Sequence, residues 1–231
     1  MGVRPVTAFD NLQPLAAAPT NALIADQILE GIMDGSIPAG SKLTEARLAE
    51  RLGVSRGPIR EALQRLVAQG VLVSHRGRGV FVATLEPEDV LDVYRCRAVT
   101  EAAAVRLIMA GGGQGLQDLE AAAEDLAVAA RDGDWTRIAR VDLQFHETLV
   151  AASGSKRLDR MFATLLVETR MCLMRLKPAY PVPAEIVPQH QDLVEAIRSG
   201  DEAAALALVH GHMRRAVVLQ LGDEEVLFPA L

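Results

Sequence analysis

A mainly α-helical chain in two unequal parts is predicted here: a small N-terminal winged helix-turn-helix carrying one β-hairpin, followed by an antiparallel bundle of about six helices. Three observations predict it. Aromatic residues are only 3% of a chain that is 50% hydrophobic, which favours helices packed through Ala, Leu and Val over a β-sandwich. Apolar residues recur at helical spacing in segment after segment between Gly, Pro or Asp breaks. One short stretch, VLVSHRGRGVFVA, instead pairs two Val-rich runs across a Gly-Arg turn, as a hairpin does. At 231 residues the chain exceeds one typical domain and holds enough apolar material for two modest cores.

Residues 1–20, with Pro5, Pro14 and Pro19 and little periodicity, read as a mobile tail. From Asn21, NALIADQILEGIMDG places Leu23, Ile24, Ile28, Leu29 and Ile32 on one face and ends at Gly35. After the Pro38-Ala-Gly40 break, Thr44 caps a short helix through Leu52, with Leu48 and Leu52 inward. Gly53 allows a tight turn, and Ser55 is a good N-cap for a third helix ending at Gly70. Pro58 is tolerated in its first turn, and Ile59, Leu63 and Leu66 recur at i, i+4 and i+7, so that stripe must face a core.

Arg60, Gln64 and Gly57 fall on the opposite side, with Arg56 projecting from the helix start. Helix, turn, helix in this order sets charged donors where they reach phosphates or guanine edges in a major groove. In the hairpin, Val71, Val73, Val80 and Val82 flank the basic turn Arg76-Gly77-Arg78-Gly79. Glycine lets that backbone approach a duplex closely, and arginine is drawn into the negative potential of a minor groove. This module therefore spans 21–84.

Thr84-Leu85-Glu86-Pro87 ends it. Helix-type spacing then runs over 87–110, 115–131, 135–152, 156–177, 184–199 and 201–221, an all-helical domain over 87–222. The GGGQG run at 111–115 has no preceding strand and no following Lys-Ser/Thr, so it reads as a connector rather than a phosphate loop.

The net charge of −6 hides an asymmetry: nine basic and seven acidic residues up to residue 84, fifteen and twenty-three beyond it. The acidic part is repelled by phosphates, which keeps it off the duplex. Two cysteines, Cys96 and Cys172, are too few for a disulfide framework, and the N-terminus has no signal-peptide pattern. No stretch reaches the roughly 18 apolar residues of a membrane span. A reduced, cytoplasmic protein without a membrane role is expected.

Together, LAERLGVSRGPIREAL, the RGRGVFV wing and the helical remainder resemble the GntR family of bacterial regulators, and the C-terminal pattern resembles its FadR-type subgroup with an FCD effector domain. The resemblance covers about residues 20–222. It implies a homodimer on an inverted repeat of double-stranded operator DNA, released or retuned by a small metabolite. It also implies DNA contacts from Ser55, Arg56 and Arg60, with Gly77 at the wing tip. Arg47, Arg76 and Arg78 complete the expected DNA-facing set. Some relatives carry an arginine where this chain has Ala46, so operator sequence does not transfer.

A second constellation lies in the helical part. Asp142 and His146, four apart in RVDLQFHETL, project from one helix face, and His190 and His212 lie on two later helices. Facing helices of a bundle can close such residues around a divalent cation, and nitrogen-rich ligation suits zinc first, with nickel and manganese as alternatives. On spacing alone an Asp/His pair more often just hydrogen-bonds. The resemblance adds that many FCD domains hold a metal with one Asp and three His at these positions. His210 points elsewhere on its helix, and His75 belongs to the wing.

A metal so held leaves coordination positions for a small carboxylate. Arg97, in YRCRAVTEAA, either clamps that anion bidentately or forms a surface ion pair with Glu101 four residues on; Arg95 is the fallback. The expected function is a metabolite-responsive DNA-binding regulator, a repressor first. The alternatives are a metal-dependent hydrolase with an accessory DNA module, and an architectural DNA-binding dimer. For the hydrolase, no general base or nucleophile elbow accompanies the ligands.

Overall fold

The computed structural model describes residues 20–33, 35–176 and 183–223, with 225 and 228. The expected tail, apart from Thr20, lies outside the described residues. The N-terminal module consists of α1 (Thr20–Met33), β1 (Lys42–Leu43), α2 (Glu45–Leu52), α3 (Arg56–Ala68), β2 (Leu72–His75) and β3 (Gly79–Val82). Six helices follow: α4 (Pro87–Ala110), α5 (Leu116–Asp132), α6 (Trp135–Ala152), α7 (Lys156–Leu176), α8 (Pro183–Ser199) and α9 (Glu202–Leu221). The chain is mainly helical, as its composition predicts.

The stripe of α3 does face a core: Ile59, Leu63 and Leu66 are buried with Ile24, Ile28 and Ile32 of α1 and with Val71, Leu72 and Val82 of the sheet. Leu23, expected on the same face of α1, is instead exposed. It sits about 100° around the helix from Ile24, outside the stripe that Ile24, Ile28 and Ile32 hold against α3.

The sheet also departs from expectation. It has three strands in the order β1-β3-β2, all antiparallel, with Lys42 opposite Phe81 and Leu43 opposite Val80. A two-residue strand is too short to show a period of two, so only the hairpin was legible. Between α2 and α3, Gly53 takes φ 66° and closes α2 with a left-handed C-cap, which a side chain resists. Thr44 and Ser55 stand at the two N-cap positions with extended backbones, but neither side chain makes the capping hydrogen bond.

In the bundle α4 is central, packed against α6, α7 and α9, while α5 closes on α6 and α8. A capping box between Glu86 and Asp89 starts α4, with Pro87 in its first turn. Helix α7 joins the two parts. Its Met171 is buried in the core of the N-terminal module and Val167 packs on the same cluster, while Leu173 and Phe162 belong to the bundle. Where α3 gives way to β2, Gly70 (φ +75°) lies so close to α7 that a β-carbon there would stand 2.8 Å from a Glu168 carboxylate oxygen.

Candidate metal centre and DNA-facing surface

Four side chains from three helices meet inside the bundle. Asp142 and His146 descend from one face of α6, His190 from α8 and His212 from α9, and one ligand atom from each lies within 4.8 Å of the others. Asp142, His146 and His190 are buried, and Phe145 stacks edge-on against His190 at 4.5 Å.

Ring orientation decides what this cluster can do. The Nδ1 of His146 lies 2.6 Å from Glu101 Oε2, that of His190 2.8 Å from the Ile186 carbonyl oxygen, and that of His212 2.9 Å from Gln189 Oε1. All three partners are acceptors, so each Nδ1 carries the proton and donates. Each Nε2 is then a bare lone pair. These lone pairs converge: His146 Nε2 is 3.2 Å from that of His212 and 3.4 Å from that of His190, and His190 Nε2 is 3.2 Å from Asp142 Oδ1.

Lone pairs facing one another and a carboxylate at such distances repel unless a cation lies among them. Metal–nitrogen bonds of about 2.1 Å at right-angle to tetrahedral geometry place two nitrogens about 3.0–3.4 Å apart. The donor set therefore fits a divalent ion, and the outward Nδ1 bonds are the supports that fix a ligating imidazole's tautomer and orientation.

Burial lowers the proton affinity of His146, with Glu101 pulling the other way, and lowers that of His212 strongly, aided by the neighbouring imidazoles. Both rings are neutral, as metal ligands must be. Burial also works against the ionised form of Asp142, but the polar imidazoles of His190, His146 and His212 gathered around it outweigh that, holding the carboxyl well below the usual range.

Glu101 is the residue that sequence reasoning missed in this role. Fully buried, it receives His146 Nδ1–H on one oxygen and Arg97 on the other, with Arg97 Nε at 3.0 Å and Nη2 at 2.9 Å. The expected Arg97–Glu101 pair exists, but in the interior, with side-chain exposures of 1% and 0% rather than at the surface. Burial raises the Glu101 pKa, yet His146 and Arg97 together bring it below its ordinary value. The signal was present as an i, i+4 spacing; what it lacked was any hint that the helix face was interior.

Arg97 is clamped between the rings of Tyr94 (5.2 Å) and Phe162 (5.9 Å). With Asp142 and His212 it lines a cavity whose other walls include Tyr94, Trp135, Leu173 and Ala216. The cavity holds about 20 Å³, on a measure where one water takes about 10–15 Å³. His210 points away, to the Phe228 carbonyl oxygen.

On the N-terminal module, Arg47, Ser55, Arg56, Arg60, Arg76, Gly77 and Arg78 are all exposed. Gly77 stands in the turn between β2 and β3, with nothing within 4 Å of the place a β-carbon would take. Arg60 is not the free donor that spacing predicts. Its Nε and Nη2 each sit 2.8 Å from an oxygen of Glu45, so the guanidinium is held in a bidentate pair at the start of α2.

Comparison with known proteins decides the family. Residues 92–215 match the FCD domain, and residues 20–82 match the bacterial regulatory proteins of the gntR family. The chain belongs to the GntR family, FadR subgroup. A Bacillus subtilis gluconate operon transcriptional repressor is 27% identical, over 85% of this chain and 83% of its own. The Escherichia coli transcriptional repressor GlaR is 30% identical over 79% and 87%. A crystal structure of a GntR regulator from Rhodococcus sp. RHA1 superposes with a TM-score of 0.78 at 25% identity, covering 90% of this chain and all of that one. These relatives are transcriptional regulators, not enzymes, and this GntR/FCD protein is a DNA-binding transcriptional regulator. No helix among the described residues is long and apolar enough to cross a membrane.

Proposed function

We propose that this regulator is a homodimeric repressor that senses a small carboxylate through a divalent metal, zinc first, held by Asp142, His146, His190 and His212. The observation that carries the reading is the convergence of three unprotonated Nε2 atoms and one carboxylate oxygen, each Nδ1 being tied to an acceptor behind it. Three imidazoles and a carboxylate leave positions in an octahedral shell for water or an acid's oxygens. Arg97, on the cavity wall beside Asp142, supplies a guanidinium to the same anion.

DNA is read by α3 in the major groove, through Ser55, Arg56 and Arg60 with Arg47 beside them, and by Arg76, Gly77 and Arg78 of the wing. One module covers only a half-site, so two copies related by a two-fold match an inverted repeat. Glu45 competes with DNA for Arg60 and pre-orients it for a bidentate contact.

The cavity is water-sized, so an entering acid must displace its walls. Leu173 of α7 is one of those walls, and the same helix sets Met171 and Val167 into the DNA-binding module. An acid that binds better to the displaced arrangement thereby shifts the placement of α3. Gel retardation of DNA flanking the protein's own gene tests this. The expected result is retardation by the zinc-loaded protein at low salt that a small carboxylate abolishes; retardation indifferent to every acid and to chelation would refute it.

A further inference from the structure

Helix α7 seats the DNA-binding module on the bundle through Val167 and Met171, which lie four residues apart and pack in the module's core. Glu168 falls between them in sequence and within the same helical stripe, a place whose neighbours are apolar. Its carboxylate is pressed against the corner where α3 gives way to β2, since a β-carbon at Gly70 would stand 2.8 Å from Glu168 Oε1. The C-terminal end of a helix carries partial negative charge, so α3 repels that carboxylate. The Gly70 and Val71 amides at this corner are already given to the Val67 and Leu66 carbonyl oxygens.

The charges that act on Glu168 have its own sign. They belong to Asp89 and Asp92, one turn apart on α4, and Cys96 follows one turn further along. Asp89 is held in place by the 2.8 Å capping bond it accepts from the Glu86 amide. Helix α1 has no basic residue, and neither Arg65 in the last turn of α3, Arg95 of α4 nor Arg170 of α7 pairs with Glu168. No hydrogen bond or ion pair reaches its carboxylate from any described residue. Helices α6 and α9 meet α7 through Phe162, Leu166 and Leu173, off this stripe. Burial first, then the two aspartates, push the Glu168 pKa above its ordinary value.

We propose that Glu168 is the positioning residue of this seat: an unpaired carboxylate, wedged among negative charge, that keeps the docked arrangement of the DNA-binding module close in free energy to a released one until neutralisation locks it. The docked arrangement binds the proton more tightly than the released one, so acid closes the seat and neutral pH keeps it loose. A module docked without that penalty would resist re-placement, because a signal shifts two arrangements only when they lie close in free energy. The proposal stands apart from the metal-and-carboxylate reading; where that reading also holds, this looseness is what the effector exploits.

Peroxide oxidation of the full-length protein, followed residue by residue with mass spectrometry, tests it. Met171, 7% exposed in the seat, oxidises when the seat opens, while Met161, 59% exposed on the same helix, calibrates the reagent. At about pH 7.5, Glu168→Gln keeps the shape and removes the charge. It is expected to slow Met171 relative to Met161 by roughly threefold, the scale of a like-charge contact at a half-exposed site. Asp92→Asn should act in the same direction by less, and the pair should fall short of the summed effects because either change removes the repulsion. With the chains compared at each pH, so that other titrations cancel, the wild type should converge on Glu168→Gln as pH falls toward the ordinary carboxylate value of 4.5. Four outcomes overturn the proposal: Met171 equally or more reactive in Glu168→Gln, an effect unchanged in acid, strictly additive effects of the two substitutions, or Met171 inert in every chain while Met161 reacts. None of these readouts uses metal, effector or DNA, so their failure leaves the metal-and-carboxylate reading intact.

Discussion

The two polar surfaces of this protein are built on opposite terms. The arginines proposed to face DNA stand in water, where charge is cheap, so the role proposed for them has little bearing on the fold. The Asp142–His146–His190–His212 cluster, with Glu101 and Arg97 behind it, is interior, and every polar atom there needs a partner for the bundle to be stable. Function and stability are thus separable in the first region and fused in the second.

The sharpest way to break that contrast is Glu101→Ala. It leaves Arg97 charged and buried without its counter-ion and frees the His146 ring, so a loss of about 3–5 kcal/mol is expected in denaturant unfolding. A loss under about 1 kcal/mol would show that the interior relaxes as easily as the surface. Next comes the combined change of His146, His190 and His212 to Ala. It should remove the stabilisation that zinc confers, roughly 4 kcal/mol at a thousandfold excess over Kd, seen as a melting temperature that no longer responds to added metal.

Acidity sharpens the same comparison in the metal-free protein. His146 and His212 are held below their ordinary value of 6.5, so below that pH the unfolded chain takes up protons that the folded chain refuses. Their contribution is complete above about pH 6.5 and lost as pH falls from there toward the lowered folded values. Thermal melts between pH 8 and 5 should show the bundle weakening in that window, and the alanine triple variant should lose this dependence.

At the exposed surface the expected pattern reverses. Arg56→Ala should change unfolding by no more than about 0.5 kcal/mol yet cost about 1–3 kcal/mol in operator affinity by fluorescence anisotropy. Smallest of all is Glu45→Gln. It releases Arg60 from an exposed pair, leaves the melting temperature in place and alters only DNA affinity and its salt dependence.

Legibility in the sequence followed the same division. Periodicity exposed α3 and its Ile59, Leu63 and Leu66 stripe because a half-buried helix sorts its residues by face. It missed β1, whose two residues carry no period, and it placed Leu23 in a core that begins one residue later. The four cluster residues were readable as types and spacings, and resemblance sharpened them. The Arg97–Glu101 pair was readable only as an i, i+4 surface bridge, because the wet stripe of α4 mixes Cys96 and Val99 with Asp92 and Arg106 while Arg97 and Glu101 stand on the buried side, so residue type does not mark which face is interior. The Arg60–Glu45 clasp was hidden for another reason: it joins two helices whose crossing depends on the turn at Gly53.

The most direct test of the account is the metal content of the protein purified without chelator, measured by elemental mass spectrometry with thermal melts before and after chelation. One divalent ion per chain is expected, with a melting temperature that falls on chelation and returns with zinc. Metal well below one per chain, and melts indifferent to chelation and zinc, would contradict the claim that the converging Nε2 atoms form a metal centre.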